Sequence, residues 1–363
     1  MKWFVVYWDL ENVYVFLNRL NKEFMKVSLK NIAEALNLSK ATVSWILSGQ
    51  GEAKGFSEAT IKRVKDYAES VNYRPNLLAR SLSLGTSNTI GLIIPFLGDT
   101  FYAQLASAIE LEAARNKYAL IVCSSEGDGD KEFELIRTLK AKQVDGIIIA
   151  PTKVSKKGID LLSEETFPYV LVDRYYPNLP SNYVIVNNTQ SCYDVVHYLG
   201  KKGARKIALL TTDIHLYVMK QRVEGYRKAL QDLGLDSDLS LELFIERQNY
   251  QTDIMDKLDC LFQEVPDVDG FFFSTHYLAL EAIRYFINHQ IDYQHRFHLG
   301  CFHETIALDV LAPEMCVTRM PIDKMGVEAV KILLDNIQEG SDFSFRNVVL
   351  ENEFSPSFSL LGK

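Results

Sequence analysis

The chain has few cysteines for its 363 residues, and no two of them form a Cys-x-x-Cys pair. Isolated cysteines are typical of reduced thiols, because disulfide frameworks and zinc sites need regular pairs. The five positions are Cys123, Cys192, Cys260, Cys301 and Cys316. We therefore expect free thiols, most of them buried, and a cytoplasmic protein.

Long hydrophobic runs are missing as well. No apolar stretch approaches the roughly 18 residues that span a bilayer, so the sequence predicts no membrane partner. The first residues, 1–24, are too charged for a secretory signal, since they hold Asp9, Glu11 and Arg19. We interpret them as an extension of unknown role that precedes a natural start near Met25.

Recognisable catalytic and metal-binding patterns are lacking too. The sequence contains no evident set of nucleophile, base and orienting residue, and no phosphate-binding glycine loop. Its histidines show no paired spacing such as His-x-x-x-His. We therefore expect no enzyme, no catalytic residue, no metal and no cofactor.

Positive charge is scarce overall but concentrated in one segment. The formal net charge is −8, yet residues 26–85 hold nine Lys and Arg against five Asp and Glu, a net of +4. Residues 1–25 are neutral overall, so residues 86–363 carry −12. A basic head on an acidic body confines affinity for phosphates to the head.

The basic segment contains the pattern of a helix-turn-helix. Leu29, Ile32, Ala33 and Leu36 recur at helical spacing, and the run 38–49 (LSKATVSWILSG) predicts a second helix. Ser39 is a good N-cap for that helix, whose outward residues then face base edges and phosphates. The candidate DNA contacts are Ser39, Lys40, Ala41, Thr42, Ser44 and Trp45.

A third helix is predicted from Glu58 to Asn72, and Pro75 then breaks the chain. Asn76 is a suitable cap for a further short helix that ends before Gly85. From Thr89 onward, strand-like apolar runs alternate with amphipathic helices. This alternation predicts doubly wound parallel α/β layers, and the segment is long enough for two subdomains.

Several motifs resemble those of the lactose/galactose repressor family over nearly everything from Val27 to the end. They are SLKNIAEALNLSKATVSWILSG, NYRPNLLARSL, TSNTIGLIIP, VDGIIIAP, YVLVDRYYP and RVEGYRKAL. The resemblance implies a helix-turn-helix head and hinge helix, followed by two doubly wound parallel-sheet subdomains similar to periplasmic binding proteins. It also implies a ligand-responsive regulator, most often a repressor of a carbohydrate or related pathway.

The resemblance also suggests domain boundaries. We expect a DNA-binding domain at 25–73, a hinge helix at 74–86 and an effector-binding, dimerising domain at 87–363. Within the last, the first subdomain is predicted at about 87–187 plus 318–340, and the second at about 188–317 plus 341–363. A solute-binding receptor without a transcriptional role is the alternative that the body alone would allow.

In the family, the second helix reads DNA and the hinge helix bends it. Lys40 suits guanine and Ala41 suits a thymine methyl, whereas Trp45 either contacts bases or covers the helix interface. The matching hinge leucine is Leu82, which would wedge into a base step, with Arg80 and Asn76 beside it. The implied partners are double-stranded operator DNA and a second copy of the chain. Because 355–363 (SPSFSLLGK) has no leucine heptads, we expect a dimer rather than a coiled-coil tetramer.

Family effectors lie in the cleft between the subdomains. The matching positions are Phe101, Tyr102, Asp173, Arg174, Asn187, Arg222, Tyr250, His276 and His303. Asn187, His276 and His303 stand where acidic residues are common. Together with Arg222 they lead us to expect an acidic sugar, bound more tightly near pH 6 if the histidines are protonated, with a neutral sugar as the alternative. The sugar ring is expected between Phe101 or Tyr102 and Tyr250.

Overall fold

The computed structural model describes residues 27–73, 85–152, 156–235, 238–340 and 344–358. The chain divides into two compact units between Gly85 and Thr86. Residues 1–26 and 74–84, including the predicted hinge helix with Asn76, Arg80 and Leu82, lie outside the described residues.

The first unit contains three short helices. They are α1 (Leu29–Leu36), α2 (Lys40–Leu47) and α3 (Glu58–Ser70). Each begins after a serine whose side-chain oxygen accepts a backbone N–H of the first turn, namely Ser28, Ser39 and Ser57. Asn37, at a φ of 54°, ends α1 in the left-handed conformation that asparagine tolerates.

The inner faces of these helices form one small core. Ile32, Val43 and Val64 contribute one fully buried side chain from each helix. Gly51 packs against this core, where an added Cβ would lie 3.0 Å from Ile61. The apolar spacing of the sequence therefore predicts the packing of this unit correctly.

The second unit contains two six-stranded sheets. The first has the order β11-β5-β4-β3-β1-β2 and is parallel throughout. Its strands are β1 (Thr89–Ile94), β2 (Ala119–Ser124), β3 (Gly146–Ile149), β4 (Tyr169–Val172), β5 (Tyr183–Val186) and β11 (Asn347–Leu350). Strands β3 and β4 are fully buried, as expected where helices cover both faces of a parallel sheet.

The second sheet has the order β12-β10-β9-β8-β6-β7, and only its edge strand β12 is antiparallel. Its strands are β6 (Ile207–Thr212), β7 (Glu242–Ile245), β8 (Gly270–Phe273), β9 (His298–Cys301), β10 (Cys316–Arg319) and β12 (Glu353–Ser355). The two sheets confirm the doubly wound α/β architecture predicted from the alternating pattern.

Ten helices of the described residues accompany these sheets. They are α4 (Thr100–Arg115), α5 (Gly129–Ala141), α6 (Lys157–Glu164), α7 (Asn188–Lys201), α8 (Tyr217–Leu233), α9 (Tyr250–Glu264), α10 (His276–Asn288), α11 (Tyr293–Arg296), α12 (Ile306–Leu311) and α13 (Ile322–Glu339). Within the described ranges, none of the helices is both long and apolar enough to cross a membrane.

The chain passes between the two sheets three times: after β5, after β10 and after β11. The predicted third crossing at 340/341 is wrong, because Asn347–Leu350 pairs with β5 in the first sheet. The second crossing also comes slightly later than expected, since β10 runs to Arg319, which pairs with Glu353 in the second sheet. An apolar run shows that a strand exists, but its partner is set by contacts distant in sequence.

All five cysteines are free thiols in the structure, as expected. Cys192, Cys301 and Cys316 are buried and Cys123 is half-buried, whereas Cys260 is exposed on α9. Burial raises the pKa of the Cys301 thiol to about 12, so this group is unreactive at neutral pH.

Candidate functional site

The carboxyl ends of strands from both sheets meet around one cavity. Its walls follow β1 and β4 in the first sheet and β6, β8 and β9 in the second. Open α/β sheets place ligands at this end of their strands, where loops carry side chains that the strands hold rigidly. The inner cavity has a volume of about 70 Å³ and adjoins an outer chamber of about 820 Å³.

Seven of the nine predicted effector residues line the inner cavity: Phe101, Tyr102, Asp173, Arg174, Arg222, His276 and His303. Tyr250 lines only the outer chamber, where its ring meets that of Tyr277 edge to face, with centroids 5.1 Å apart. The two predicted aromatic walls therefore do not face each other across the inner cavity.

Asn187 is not on the wall of either chamber. Its Oδ1 caps α7 by accepting the Gln190 N–H, and its Nδ2 donates to Glu351. The next residue, Asn188, reaches the site instead, because its Oδ1 accepts a hydrogen bond from Arg222 Nε at 2.8 Å. Sequence reasoning missed Asn188, since a shift of one position at a helix start turns a side chain to another face.

Arg222 is held rigidly although it is a long side chain. Its Nε donates to Asn188, and its Nη1 donates to the carbonyl oxygen of Ser274 at 2.8 Å. The guanidinium also stacks on the ring of Phe302. Burial lowers the pKa of Arg222, but arginine stays charged at any physiological pH. The site therefore holds a pre-organised cation at the cavity wall.

Asp173 follows β4 in a strained conformation, with a φ of 64°. Its Oδ2 accepts a hydrogen bond from the buried Tyr102 hydroxyl at 2.7 Å and lies 3.6 Å from Nε of Arg174. Asp213, which follows β6, also has a positive φ, of 51°. The two sheets thus each contribute a carboxylate on a strained turn to the cavity wall.

The two predicted histidines are in contact at the carboxyl edge of the second sheet, where they follow the neighbouring strands β8 and β9. Nδ1 of His303 lies 3.1 Å from Nδ1 of His276, and Nε2 of His276 lies 3.8 Å from Oδ1 of Asp99. Burial lowers the pKa of His276 despite Asp99, and lowers the pKa of His303 well below its usual value. Protonation of these histidines near pH 6, the condition for tighter binding of an acidic sugar at that pH, is therefore disfavoured, because desolvation favours their neutral forms.

Arg247 lines both the inner cavity and the outer chamber and was not predicted. Its guanidinium carbon is 4.6 Å from the ring centroid of Phe96, which follows β1, and 4.0 Å from that of Tyr277 on α10. These cation–π contacts join residues of the two sheets. No local signal marks Arg247 as special, because its role depends on a ring about 150 positions earlier in the chain.

In the first unit, the start of α2 presents the predicted DNA contacts to solvent. Ser39, Lys40, Ala41 and Ser44 are exposed and Thr42 is half-buried. Trp45 is 39% exposed, and its other face stacks on Phe56 with centroids 6.3 Å apart. Both alternatives for Trp45 are therefore compatible with this geometry: it covers the helix interface and still offers an edge to a partner.

Comparison with known proteins decides the family. A family model described as "Periplasmic binding proteins and sugar binding domain of LacI family" matches residues 87–279. A second, described as "Bacterial regulatory proteins, lacI family", matches residues 28–76. The chain belongs to the LacI family. The resemblance found in the sequence motifs is thereby confirmed.

Relatives of this LacI-family chain are similar over nearly their whole length. Catabolite control protein A of Priestia megaterium is 28% identical over 85% of this chain and 92% of its own. Among solved structures, the lac repressor dimer bound to operator and the anti-inducer ONPF matches with a TM-score of 0.78, at 19% identity, over 90% of this chain and 97% of that chain. The complex of the transcriptional regulator CelR with cellobiose matches with a TM-score of 0.68, at 21% identity, over 91% and 98%.

Membership of the LacI family joins the two units in one function. The chain is a ligand-responsive, DNA-binding transcriptional regulator, as the sequence predicts. The head supplies the helix-turn-helix, and the body supplies the cavity between its two sheets. A receptor role without DNA binding has no support in these comparisons.

Proposed function

We propose that this LacI-family member is a cytoplasmic repressor that binds a pseudo-palindromic operator as a homodimer and responds to a sugar bound in its cleft. The observation that carries the proposal is the polar cavity around Arg222, in a chain that also has a helix-turn-helix. The dimer bound to operator in the lac repressor structure supports the assembly. We propose no enzymatic activity.

On the DNA side, the exposed start of α2 reads the major groove. Lys40 donates to a guanine and Ala41 contacts a thymine methyl, while Thr42 and Ser44 bind phosphates. Leu82 and Arg80 of the hinge segment enter the minor groove at the centre of the operator. These assignments rest on the matching motifs and on the exposure of α2.

On the effector side, the balance of charge supports a neutral sugar. Three carboxylates, Asp99, Asp173 and Asp213, line the cavity together with three guanidinium groups, Arg174, Arg222 and Arg247. Because the two histidines are neutral, these charges cancel and leave no excess to attract an anion. The cellobiose complex of CelR is a precedent for a neutral sugar in a relative of this fold.

The small inner cavity supports a link between effector binding and movement of the two sheets. A volume of about 70 Å³ holds only a few water molecules, so a sugar ring that reaches Arg222 requires this inner part of the cleft to open. The contacts between Arg247 and Phe96 and between His276 and Asp99 join the sheets and must adjust. When effector binding changes operator affinity in this way, operator binding must change effector affinity by the same coupling free energy.

The proposal is tested by operator binding in the presence of sugars. Fluorescence anisotropy with DNA from the promoter regions beside this gene should show salt-dependent, sequence-specific binding of the full chain. Neutral sugars, uronates and sugar phosphates are then added separately, and Lys40→Ala serves as the DNA-binding control. A response to an acidic sugar alone would restore the acidic effector predicted from the sequence. The absence of specific DNA binding would overturn the proposed repressor.

A further inference from the structure

The loop after β4 is held in place by contacts outside the cavity. Asp173 in this loop has a φ of 64°, a strained conformation that persists only where neighbouring contacts enforce it. Two residues that follow it bond the end of β3. Arg174 Nη1 donates to the carbonyl oxygen of Pro151 at 3.4 Å, and the Tyr176 hydroxyl donates to that of Thr152 at 3.0 Å. The end of β3 therefore supports the loop that brings Asp173 and Arg174 to the cavity wall.

Glu132 of α5 in turn holds the end of β3. Its Oε2 accepts the backbone N–H of Thr152 at 2.6 Å, and both residues are 1% exposed. Glu132 itself lines neither chamber of the cavity. Its other oxygen, Oε1, is buried and has no hydrogen-bond partner among the residues that the structure describes. Because a buried charged oxygen without a partner is costly, this environment favours the protonated carboxyl.

We propose that Glu132 is a positioning residue for the effector site: in its protonated form it fixes the loop after β4 through Thr152, and thereby the guanidinium of Arg174. This inference rests on the proposed effector site and extends it to a side chain that the ligand does not touch. Ionisation of Glu132 places a negative charge behind Arg174, and this charge competes with a ligand for the guanidinium. Effector binding therefore favours the protonated carboxyl.

The groups around Glu132 determine the pH at which the change occurs. Burial raises the pKa of Glu132 to about 7, although Arg174 favours the carboxylate. Arg174 and Tyr176 face this carboxyl from the loop after β4, and Asp160 and Lys156 lie close to Tyr176 from α6 and the residue before it. The carboxyl loses its proton as the pH rises through this value, so effector affinity should fall between about pH 6 and pH 8.

The positioning role is tested without a ligand by nitrogen-15 NMR of the full chain labelled at arginine. The Nε–H signal of Arg174, assigned with Arg174→Lys, should move with a midpoint near pH 7 in the wild-type chain. It should stay fixed in Glu132→Gln, because glutamine keeps an oxygen for the Thr152 N–H but cannot ionise. Arg227 on α8 is the internal reference, since its Nε donates to Glu242 at 2.7 Å. An Arg174 signal that does not move, or that moves equally in Glu132→Gln, would overturn the proposal.

The effect on the ligand is tested with glucose, galactose, maltose and cellobiose in calorimetric titrations at pH 6 and pH 8. For a sugar that binds the wild-type chain, affinity should be about threefold or more lower at pH 8, and equal at both pH values in Glu132→Gln. Glu132→Ala removes the acceptor and should lower affinity about tenfold at pH 6. Glu134→Ala, on the exposed face of α5, is the control and should bind the sugar as the wild-type chain does.

The outcomes separate the positioning role from the proposed effector. Equal loss of affinity in Glu132→Ala and Glu132→Gln at pH 6, or wild-type affinity that is the same at both pH values, would overturn the positioning role. If none of the four sugars binds while the Arg174 signal titrates as expected, the sugar effector fails and the positioning role stands. If Glu132→Ala does not fold, the comparison of the wild-type chain with Glu132→Gln still decides.

Discussion

The guanidinium carbon of Arg222 lies 3.6 Å from the ring centroid of Phe302. The two residues belong to different elements of the second subdomain. Arg222 is on α8, whereas Phe302 follows β9. The ring covers one face of the guanidinium, while hydrogen bonds to Asn188 and Ser274 fix its plane. The remaining donors are therefore oriented before a ligand arrives, which lowers the entropy cost of binding.

Arg222→Lys should lower effector affinity by about tenfold or more while operator binding without effector persists. Lysine keeps the charge but cannot reproduce the planar fork or the stacking. Calorimetric titration and anisotropy measure the two properties. The control is Arg115→Lys on the exposed surface of α4, where lysine should change neither. Equal effector affinity in both variants would contradict the role of Arg222.

Glu132→Gln should stabilise the protein at pH 8 by on the order of 1–3 kcal/mol and have little effect at pH 5. Glu132 is buried on α5, and its Oε2 accepts the backbone N–H of Thr152 at 2.6 Å. Burial raises the pKa of Glu132 to about 7, so the folded chain holds a proton that the unfolded chain releases above about pH 4.5.

A group whose pKa is raised by folding contributes its full stability below its pKa in the unfolded chain. That stability is lost as the pH rises through its pKa in the folded chain. Glutamine keeps the acceptor and removes the ionisation. Urea unfolding at the two pH values measures the difference in free energy. Glu134→Gln, on the exposed face of the same helix, should be neutral at both. A stabilisation by Glu132→Gln that is the same at pH 5 and pH 8 would contradict the assignment.

Gly225→Ala should destabilise the fold by about 1–3 kcal/mol or more, because α7 and α8 pack there in backbone contact. An added Cβ would lie 2.2 Å from the carbonyl oxygen of Thr189 and 2.9 Å from Cβ of Cys192. Gly98→Ala is the matched control, since no heavy atom lies within 4 Å of its added Cβ. Thermal unfolding compares the two variants, and similar melting temperatures would show that the helices can separate without cost.

Leu82→Ala should weaken specific operator binding while leaving the fold and the dimer intact. An apolar wedge exchanges a few kcal/mol when it unstacks a base step, and alanine is too short to do so. Gel-shift titrations on the cognate operator and on unrelated DNA separate specific from non-specific affinity. The matched change is Leu78→Ala in the same segment, which should affect operator binding less. Wild-type operator affinity in Leu82→Ala would remove the wedge assignment.

Much of the fold was accessible from the sequence because its signals are local. The Ser39 cap and the apolar spacing of the head predict its helices, since both signals act within one or two turns. Alternating apolar runs and amphipathic helices predict the parallel layers for the same reason. Seven cavity residues were also found, but through the resemblance to the family motifs rather than through a local physical signal.

Tertiary structure alone decided the rest. The strand at Asn347–Leu350 joins the first sheet rather than the second, because its partner β5 lies far away in sequence. Asn188 rather than Asn187 bonds Arg222, because helix geometry turns successive side chains to different faces. The charge states of His276 and His303 depend on burial and on charged neighbours such as Arg222, which only folding brings together. The sequence by itself thus determined the elements and the family, whereas the chemistry of the cavity depends on distances between side chains that no local pattern encodes.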